Sequence, residues 1–270
     1  MSTLRISDIE DDRVSLYTNY SEPQLYHINE PEDGVFIAET PMVIERALTF
    51  GAKPLSFFIE SGVAKSAKIR EIIEERGQGV PVYEADLPVI NRITGFNLTR
   101  GMLAAFLRPP LPEIEVVLAS RNIAVLEDVV NPTNVGAIFR SAAALGVDGI
   151  LLTSACTDPF YRRAARVSMG AVFMIPWTYL GKDDDTVELL HDHHFTVISM
   201  ALSADARPLG DDVLKQGGKR AVIFGAEGDG ISSKTLDKSD HIAVIPMKNG
   251  VDSLNVAAAS AVAFWELFKN

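Results

Sequence analysis

The second half of the chain alternates short apolar runs with helical patterns, and this alternation restricts the fold more than any other feature. The apolar runs predict five strands, at Ile123–Leu126, Gly149–Leu152, Thr196–Met200, Ala221–Phe224 and Ile242–Ile245. Helical spacing lies between them, and a last helix is expected from about Ser253 to Phe268. Short buried strands separated by helices are typical of a parallel sheet covered on both faces. The sequence therefore predicts an α/β fold for this region.

A proline-rich connector precedes this region. Pro109, Pro110 and Pro112 cannot lie inside a helix or a central strand. We therefore expect two domains, residues 1–112 and residues 113–270, as the length of 270 residues favours. The first is expected to be a small α/β domain. Its predicted strands are Leu55–Ile59, Val80–Tyr83 and Gly101–Leu107. Its predicted helices are Pro41–Phe50 and Val63–Arg76.

Composition and terminal sequence predict a cytoplasmic protein without a membrane segment. The single cysteine, Cys156, excludes an intrachain disulfide and is compatible with a reducing compartment. The opening residues, MSTLRISDIEDD, lack the apolar core of a signal peptide. The longest weakly polar run, around Leu254–Trp265, is too short to span a bilayer.

The net charge of −11 argues against nucleic-acid binding, because phosphate contacts usually require a basic excess. Two local groups of basic residues run against this trend. One group lies between Pro159 and Lys182, where there is no acid, and comprises Arg162, Arg163, Arg166 and Lys182. The smaller group comprises Arg92, Arg100 and Arg108. Charge alone favours ordinary solvated arginines at these positions.

The segment NPTNVGAIFRSAAALG, residues 131–146, follows a predicted strand and begins a helix. Its apolar stripe comprises Val135, Ile138, Phe139, Ala142 and Leu145. Asn134 and Arg140 lie off that stripe. Arg140 is four residues after Gly136 and should lean over it, where the missing side chain leaves room for a ligand. The alternative is that Asn134 helps to cap the helix and that Arg140 is a surface residue.

The segment AVIFGAEGDGIS, residues 221–232, runs from a strand into a glycine-rich turn that contains Glu227. Ligands of open α/β sheets bind outside the carboxyl ends of strands, so the turn is well placed for binding. Its glycine order, G-x-x-G-x-G, matches neither the dinucleotide fingerprint nor the P-loop. The alternative is a plain tight turn with a solvated acid.

The segment from Ile242 to Phe268 contains a strand that ends at Pro246, a loop and the last helix. Ser253 is a natural N-cap for that helix. One apolar face is predicted from Leu254, Ala258, Ala261, Trp265 and Phe268. Ala257 and Ser260 lie opposite, where another backbone could approach closely. By themselves, Ser253 and Asn255 are more typical of capping than of catalysis.

Together, in this order and spacing, the three segments resemble the signature motifs of the SpoU-like (TrmH-type) RNA methyltransferases of the SPOUT superfamily. The resemblance covers roughly the last 150 residues, about one domain. It is carried by Asn134 with Arg140, Gly225 with Glu227, and Ile245-Pro246-Met247 followed by Ser253-Leu254-Asn255. Residues 158–173 resemble the linking segment of the family, with Arg163, Arg166 and Ser168 in matching places. The first part, mainly through residues 94–106, resembles a ribosomal-protein-like (L30e-like) substrate-binding domain.

The resemblance implies a fold, a cofactor and a set of site residues. The fold would be a parallel-sheet SPOUT domain with a deep trefoil knot, in a homodimer with the active site near the interface. S-adenosylmethionine would bind at Gly225, Ala226, Ile245, Met247 and Leu254. The catalytic residues would be Arg140, Asn134, Glu227, Ser253 and Asn255. RNA would bind at Arg162, Arg163 and Arg166. No metal is required, and the His191–His194 cluster is expected to end a solvated helix, although incidental metal binding there remains an alternative.

The implied reaction is methyl transfer to a ribose 2′-hydroxyl of RNA, with ribosomal RNA preferred and transfer RNA as the alternative. The family assigns activation of the hydroxyl to the position of Arg140, but arginine is essentially always protonated. Arg140 could instead grip a phosphate and orient the 2′-oxygen. Three other functions stay open: a methyltransferase acting on a base or a small molecule, a nucleotide-dependent enzyme, and a non-catalytic RNA-binding protein.

Overall fold

The computed structural model describes residues 2–31, 33–77, 79–94, 101–182 and 184–269. These residues form two compact units, and the chain passes between them more than once. The first unit comprises Met1–Pro110 and Phe160–Phe173, and the second comprises Leu111–Pro159 and Met174–Asn270. Residues 95–100, which include Arg100 and part of the segment 94–106 that suggested a ribosomal-protein-like domain, lie outside the described residues.

The first unit is built on a five-stranded mixed sheet. Its strands are β1 (Leu4–Arg5), β2 (Val35–Glu39), β3 (Pro54–Glu60), β4 (Val82–Ala85) and β5 (Met102–Leu107). Its helices are α1 (Ser15–Thr18), α2 (Glu22–His27), α3 (Pro41–Thr49), α4 (Ala67–Arg76) and α5 (Leu87–Thr94). The strand order is β1-β4-β3-β5-β2, with β5 antiparallel to both of its neighbours. The predicted alternation of strands and helices is confirmed here, although β1 and β2 were not predicted.

The largest differences between predicted and observed boundaries in the first unit are at the start of α4 and in β4. The helix α4 begins at Ala67 rather than at Val63, because the backbone N–H of Ser66 donates to the carbonyl of Val63 in a turn that precedes the helix. The strand β4 begins at Val82, two residues later than predicted. Both differences lie at element ends, where local turn geometry decides the boundary.

The second unit is built on seven parallel strands. They are β6 (Asn122–Leu126), β7 (Gly149–Leu152), β8 (Trp177–Tyr179), β9 (Phe195–Met200), β10 (Arg207–Pro208), β11 (Lys219–Phe224) and β12 (His241–Val244). Its helices are α6 (Ile114–Leu118), α7 (Pro132–Ala144), α9 (Thr186–Asp192), α10 (Ser233–Lys238) and α11 (Val256–Phe268), while α8 (Arg162–Val167) belongs to the first unit. The order β10-β12-β9-β11-β6-β7-β8 is parallel throughout, which confirms the predicted parallel α/β sheet. The strands β8 and β10 were not predicted.

Residues 160–173, which the division between residues 112 and 113 placed in the second domain, pack in the first unit. The Phe160 and Phe173 rings lie 5.3 and 5.6 Å from the Phe36 ring, centroid to centroid. The guanidinium of Arg46 donates to the carbonyl oxygen of Met169 at 2.7 Å. This aromatic cluster explains why the segment leaves its sequence neighbours, since three buried rings would otherwise lose their packing.

The last helix, α11, buries a different face from the predicted one. Its buried residues are Ser260, Ala263, Phe264, Leu267 and Phe268. Of the predicted face, Leu254, Ala258 and Trp265 are exposed. The reason is that α11 packs against α7, so the small Ser260 side chain faces the interior of the unit. The face of α11 that contains Ser260, predicted to allow close approach of another backbone, therefore packs within the second unit.

The cysteine and the histidine cluster occupy structural positions. Cys156 is buried, its thiol donates to the carbonyl of Leu126 at 3.2 Å, and burial raises the pKa of that thiol. The histidine cluster lies at the end of α9, where His193 is the C-cap residue. In the described ranges, no three His, Cys, Asp or Glu residues form a group that could hold a metal ion. None of the helices in those ranges is both long enough and apolar enough to cross a membrane.

Candidate active site

The loop after β6 leads directly into α7. Asn131 is the N-cap of this helix, so the side-chain amide of Asn134 is available for other hydrogen bonds. Asn131 caps the helix, because its side-chain oxygen accepts the N–H of Thr133 at 2.9 Å. Asn134, considered as a capping residue from the sequence, lies in the first turn and is only 5% exposed. Gly136 is buried, whereas Arg140, one helical turn later, is exposed to solvent. Arg140 makes no hydrogen bond or ion pair with any described residue and is accessible to a ligand from solvent.

After β11 the chain turns back on itself at the glycine-rich segment. Ala226 and Gly230 exchange two backbone hydrogen bonds of 3.1 Å. A Cβ atom at Gly225 would lie 2.2 Å from the carbonyl carbon of Gly230, so this close approach requires glycine. Gly228 and Gly230 adopt φ values of 103° and 71°, which L-residues rarely adopt. The turn thereby holds Glu227 just beyond the carboxyl end of the sheet.

The loop after β12 delivers Asn255 to the start of α11. The Asn255 side-chain oxygen accepts the N–H of Ala257 at 3.0 Å and caps the helix. Ser253, predicted as the cap, is exposed and lies two residues earlier. The prediction was wrong because the helix begins at Val256, three residues later than the apolar pattern indicated. The capping oxygen of Asn255 is thus engaged, while its NH₂ group is available for another partner.

Three polar side chains from distant parts of the sequence meet in one network. Asn134 donates from Nδ2 to Oε1 of Glu227 at 2.5 Å. Asn255 donates from Nδ2 to the same oxygen at 2.8 Å and to Oδ1 of Asn134 at 3.1 Å. Within the described residues, Oε2 of Glu227 accepts no hydrogen bond and no cation pairs with this carboxylate. The protein therefore orients Glu227 with neutral donors and leaves its negative charge uncompensated.

A buried acid, Glu127, secures the far end of the glycine-rich turn. It follows β6 directly and is 9% exposed. Its Oε1 accepts the N–H of Ser232 at 2.6 Å, and its Oε2 accepts the hydroxyl of Thr235 at 2.7 Å. These bonds fix the start of α10, and thus the end of the turn that carries Glu227. Sequence reasoning missed Glu127, although an acid directly after an apolar strand was a usable signal.

A cavity of about 610 Å³ lies at the carboxyl ends of β9, β11 and β12. This volume is within the range of small-molecule sites. The five residues predicted to bind the cofactor all line it: Gly225, Ala226, Ile245, Met247 and Leu254. Glu227, Ser253 and Asn255 line it as well, whereas Asn134 and Arg140 are not among the lining residues. Met200, Ala201 and Leu202 were missed, because only the sheet order shows that β9 lies between β11 and β12.

The charged residues that line the cavity are all acidic. They are Glu227, Asp229 and Asp252, and no Lys, Arg or His is among the described lining residues. Phosphate groups are usually held by cationic side chains or by the N-terminus of a helix. The electrostatics therefore disfavour a dinucleotide or nucleotide ligand, in agreement with the glycine order of the turn.

The arginines predicted to bind RNA lie on α8 in the first unit, and two of them share a buried acid. Arg166 Nη1 lies 3.2 Å from Oε1 of Glu39, and Arg162 Nε lies 4.0 Å from Oε2. The backbone N–H of Arg162 also donates to the Glu22 carboxylate at 2.8 Å. Arg163 is exposed. The structure therefore does not place these arginines in the unit that contains the cavity.

Comparisons with known proteins agree with this fold. The SpoU rRNA methylase family matches residues 121–265. An uncharacterised tRNA/rRNA methyltransferase of Mycobacterium tuberculosis is 38% identical over 233 residues, which are 85% of this chain and 79% of the relative. The 23S rRNA (guanosine-2′-O-)-methyltransferase RlmB of Escherichia coli is 26% identical over 195 residues, which are 70% and 79% of the two chains. The crystal structure of an AdoMet-bound rRNA methyltransferase of Sinorhizobium meliloti superposes with a TM-score of 0.77 at 22% identity, over 98% and 97% of the two chains.

The parallel sheet, with a cavity at the carboxyl ends of its strands, defines a ligand-binding α/β protein. Because the family match spans more than half of the chain, the chain belongs to the SpoU methylase family of the SPOUT superfamily. It is a methyltransferase of that family, and SpoU methyltransferases use S-adenosylmethionine, the cofactor that the resemblance of the three motifs implied.

Proposed function

We propose that this chain transfers a methyl group from S-adenosylmethionine to a ribose 2′-hydroxyl of RNA. The observation that carries the proposal is the Asn134–Glu227–Asn255 network, two members of which line the cavity. The network joins all three predicted motifs around one carboxylate. The relative from Escherichia coli is named for methylation at a 2′-oxygen of ribosomal RNA, which supports the same reaction here.

The cavity fits the cofactor in size and in chemistry. Apolar side chains of Met200, Leu202, Ile245 and Leu254 supply walls for an adenine ring. At Gly228 and at Gly230, an added Cβ atom would meet nothing within 4 Å, so the turn leaves open space beside it. Backbone groups of the predicted residues would hold the cofactor, which supplies an electrophilic methyl group on a sulfonium. The predicted residues are Gly225, Ala226, Ile245, Met247 and Leu254.

We assign the reacting hydroxyl to the polar side of this cavity. Oε2 of Glu227, which has no partner among the described residues, would accept the hydrogen of a ribose hydroxyl. Asn134 and Asn255 would hold that carboxylate in place, and Ser253 would add a hydroxyl at the cavity wall. The exposed guanidinium of Arg140 would bind a phosphate of the RNA bidentately and orient the 2′-oxygen. Alignment of this kind contributes several kcal/mol to methyl transfer.

We assign substrate binding to the first unit, as an L30e-like domain, and ribosomal RNA is the preferred substrate. Arg163 is exposed on α8, while Arg162 and Arg166 are held beside Glu39. Such a helix would present cationic side chains to the RNA backbone without reading its bases. Transfer RNA is the second candidate substrate.

A homodimer with a knotted second unit completes the proposal. Val262 and Trp265 are 40% and 57% exposed, and with Ala258 they lie on one face of α11 at helical spacing. An apolar helical face of this kind is suited to cover by a second copy of the chain. The deep trefoil knot rests on family membership and on the strand order, in which β12 pairs with β9 rather than with β11. Trp265→Ser should convert dimer to monomer in light scattering, whereas a monomeric unmodified chain would contradict the dimer.

The decisive experiment is methyl transfer from labelled S-adenosylmethionine to total RNA of a strain that lacks this protein, followed by digestion to nucleosides. A labelled 2′-O-methylnucleoside is expected, and the size of the labelled RNA identifies ribosomal or transfer RNA as substrate. A labelled base would retain the cofactor and refute the ribose mechanism. No labelled RNA, with cofactor binding intact, would indicate a small-molecule substrate.

A further inference from the structure

We infer that Asp229 and Asp252 make the cavity discriminate between the cationic cofactor and its product, whose net charge is zero, so that product release is favoured. The inference rests on the proposed function and concerns the selectivity of the same cavity. It starts from the lining, in which the charged side chains are Glu227, Asp229 and Asp252, without any basic residue among the described lining positions.

The two aspartates carry charges that the protein does not neutralise. Asp229 lies in the glycine-rich turn, between Gly228 and Gly230, and Asp252 lies directly before Ser253. Both are exposed, and neither side chain makes a hydrogen bond or an ion pair with another residue of the described ranges. Other acids of the same unit do have cationic partners; for example, Asp185 lies 2.6 Å from the ammonium of Lys238. The negative field of Asp229 and Asp252 is therefore available to a ligand in the cavity.

The charge of the ligand changes during the reaction. Methyl transfer breaks the sulfur–methyl bond and leaves its electron pair on sulfur, while the new oxygen–methyl bond forms and the hydroxyl proton passes to water. The ligand in the cavity thus changes from a net charge of +1, two cationic groups and one carboxylate, to a net charge of zero. Uncompensated carboxylates attract the first form more than the second, by about two- to fivefold for each exposed carboxylate within roughly 4–6 Å.

A different role for the aspartates would have a different signature. Hydrogen bonds to the ribose hydroxyls or to the amino group would act on the cofactor and on the product equally, because both ligands contain these groups. Only an interaction with the sulfonium charge distinguishes the two. The ratio of the two affinities therefore separates charge discrimination from simple holding.

The test is calorimetric titration with three ligands: S-adenosylmethionine, S-adenosylhomocysteine, and sinefungin, which carries a cationic amine in place of the sulfonium. The variants are Asp229→Asn, Asp252→Asn and the double variant. The matched control is Asp237→Asn, an exposed acid of the same unit that is not among the cavity residues. The double variant should bind both cationic ligands about 5- to 20-fold more weakly than the unmodified chain does. Its affinity for S-adenosylhomocysteine should stay within about twofold of that of the unmodified chain. The control should leave all three affinities unchanged.

Each outcome decides the inference. The inference would be overturned if the variants bound all three ligands equally more weakly. It would also be overturned if the ratio of affinities for S-adenosylmethionine and S-adenosylhomocysteine were unchanged in variants whose thermal unfolding matches that of the unmodified chain. In both cases the proposed function would stand. Failure of the unmodified chain to bind either S-adenosylmethionine or S-adenosylhomocysteine would overturn the proposed function and the inference together. Salt provides a check without mutation, since raising NaCl from about 50 to about 500 mM should weaken the cationic ligands more than the neutral one.

Discussion

Two carboxylates, one in each compact unit, show how differently this protein uses the same functional group. Glu39 in the first unit is 3% exposed and lies between Arg162 and Arg166. Glu227 in the second unit is exposed, and among the described residues its hydrogen-bond donors are Asn134 and Asn255. The first carboxylate is matched by opposite charge, while the second is oriented but not neutralised.

The difference separates a structural carboxylate from a functional one. A buried charge needs a partner of opposite sign, because its desolvation is otherwise very unfavourable. Neutral amides can fix the position of an exposed carboxylate and still leave its field for a ligand. We therefore interpret Glu39 as the residue that fixes α8 in the first unit, and Glu227 as part of the reaction site.

The same contrast appears in the total charges of the units. The first unit contains 14 Lys and Arg residues against 16 Asp and Glu residues, a net charge of −2. The second contains 11 against 20, a net charge of −9. The net charge of −11 that argued against RNA binding is therefore concentrated in the unit with the cavity, where a cationic cofactor is expected. The first unit is much closer to neutral, which is compatible with its proposed contact with RNA.

The largest effect is expected from Arg140→Ala, which removes the proposed phosphate-binding group of the second unit. Methyl transfer should fall by at least about 100-fold, because orientation of the 2′-oxygen is lost. Cofactor binding should stay within about twofold, since Arg140 is not among the cavity residues. Both are measured by single-turnover kinetics and calorimetry, with Arg207→Ala, an exposed arginine of the same unit, as the control. Loss of cofactor binding would show that Arg140 has a structural role.

Replacement of each glutamate by glutamine tests whether the two carboxylates have different roles. Glu39→Gln leaves two arginines without their acid and should lower the free energy of unfolding by about 1–3 kcal/mol, less than for a fully buried pair because the arginines are partly exposed. Glu227→Gln should change it by less than about 0.5 kcal/mol, while methyl transfer falls by at least about tenfold. Urea unfolding and methyl-transfer rates measure the two effects. Equal losses of stability would refute the distinction between the two carboxylates.

Charge reversal on α8 tests whether the first unit binds RNA. Arg163→Glu should weaken RNA binding and lower the slope of log K against log salt by about 1–2, because a phosphate contact is replaced by repulsion. Arg163 is the suitable position because it is exposed, whereas Arg166→Glu would place an acid beside Glu39. Titration of RNA at several salt concentrations measures the slope. An unchanged slope would exclude α8 from the RNA contact.

The smallest effect is expected at Asp185, an acid of the second unit that does have cationic partners. Lys238 and Lys234 beside Asp185 hold the pKa of this carboxyl well below its usual range. Because the folded-state pKa is lowered, the stabilisation is present above the ordinary value of about 3.9 and is lost as the pH falls below it. The contribution should be below about 1 kcal/mol, since the pair is solvent-screened. Asp185→Asn should therefore reduce the loss of stability between about pH 5 and pH 2 in thermal unfolding, and an unchanged pH profile would contradict the assignment.

The sequence was sufficient to predict the parts of the site that are local. The glycine-rich turn, the strand before it and the acid within it follow from residues close together in the chain, and the structure retains all of them. The capping residues were assigned in part: Asn255 caps α11, as one of the two candidates named for capping, whereas Asn131 caps α7 where Asn134 was considered. Several polar residues near a helix start satisfy the same local preference, so the choice among them depends on where the helix begins.

The sequence alone was sufficient to predict five of the seven strands and the parallel arrangement of the second unit, because apolar periodicity and the spacing of helices act over short distances. Only the tertiary structure decided which distant side chains share a partner: Asn134, Glu227 and Asn255 meet, and Glu127 secures the turn beside them. It also decided that residues 160–173 pack in the first unit and that α11 buries Ser260 against the interior. These outcomes depend on the order of strands in a sheet and on the packing of rings and helices. Contacts of that kind join residues far apart in sequence, and no local pattern specifies them.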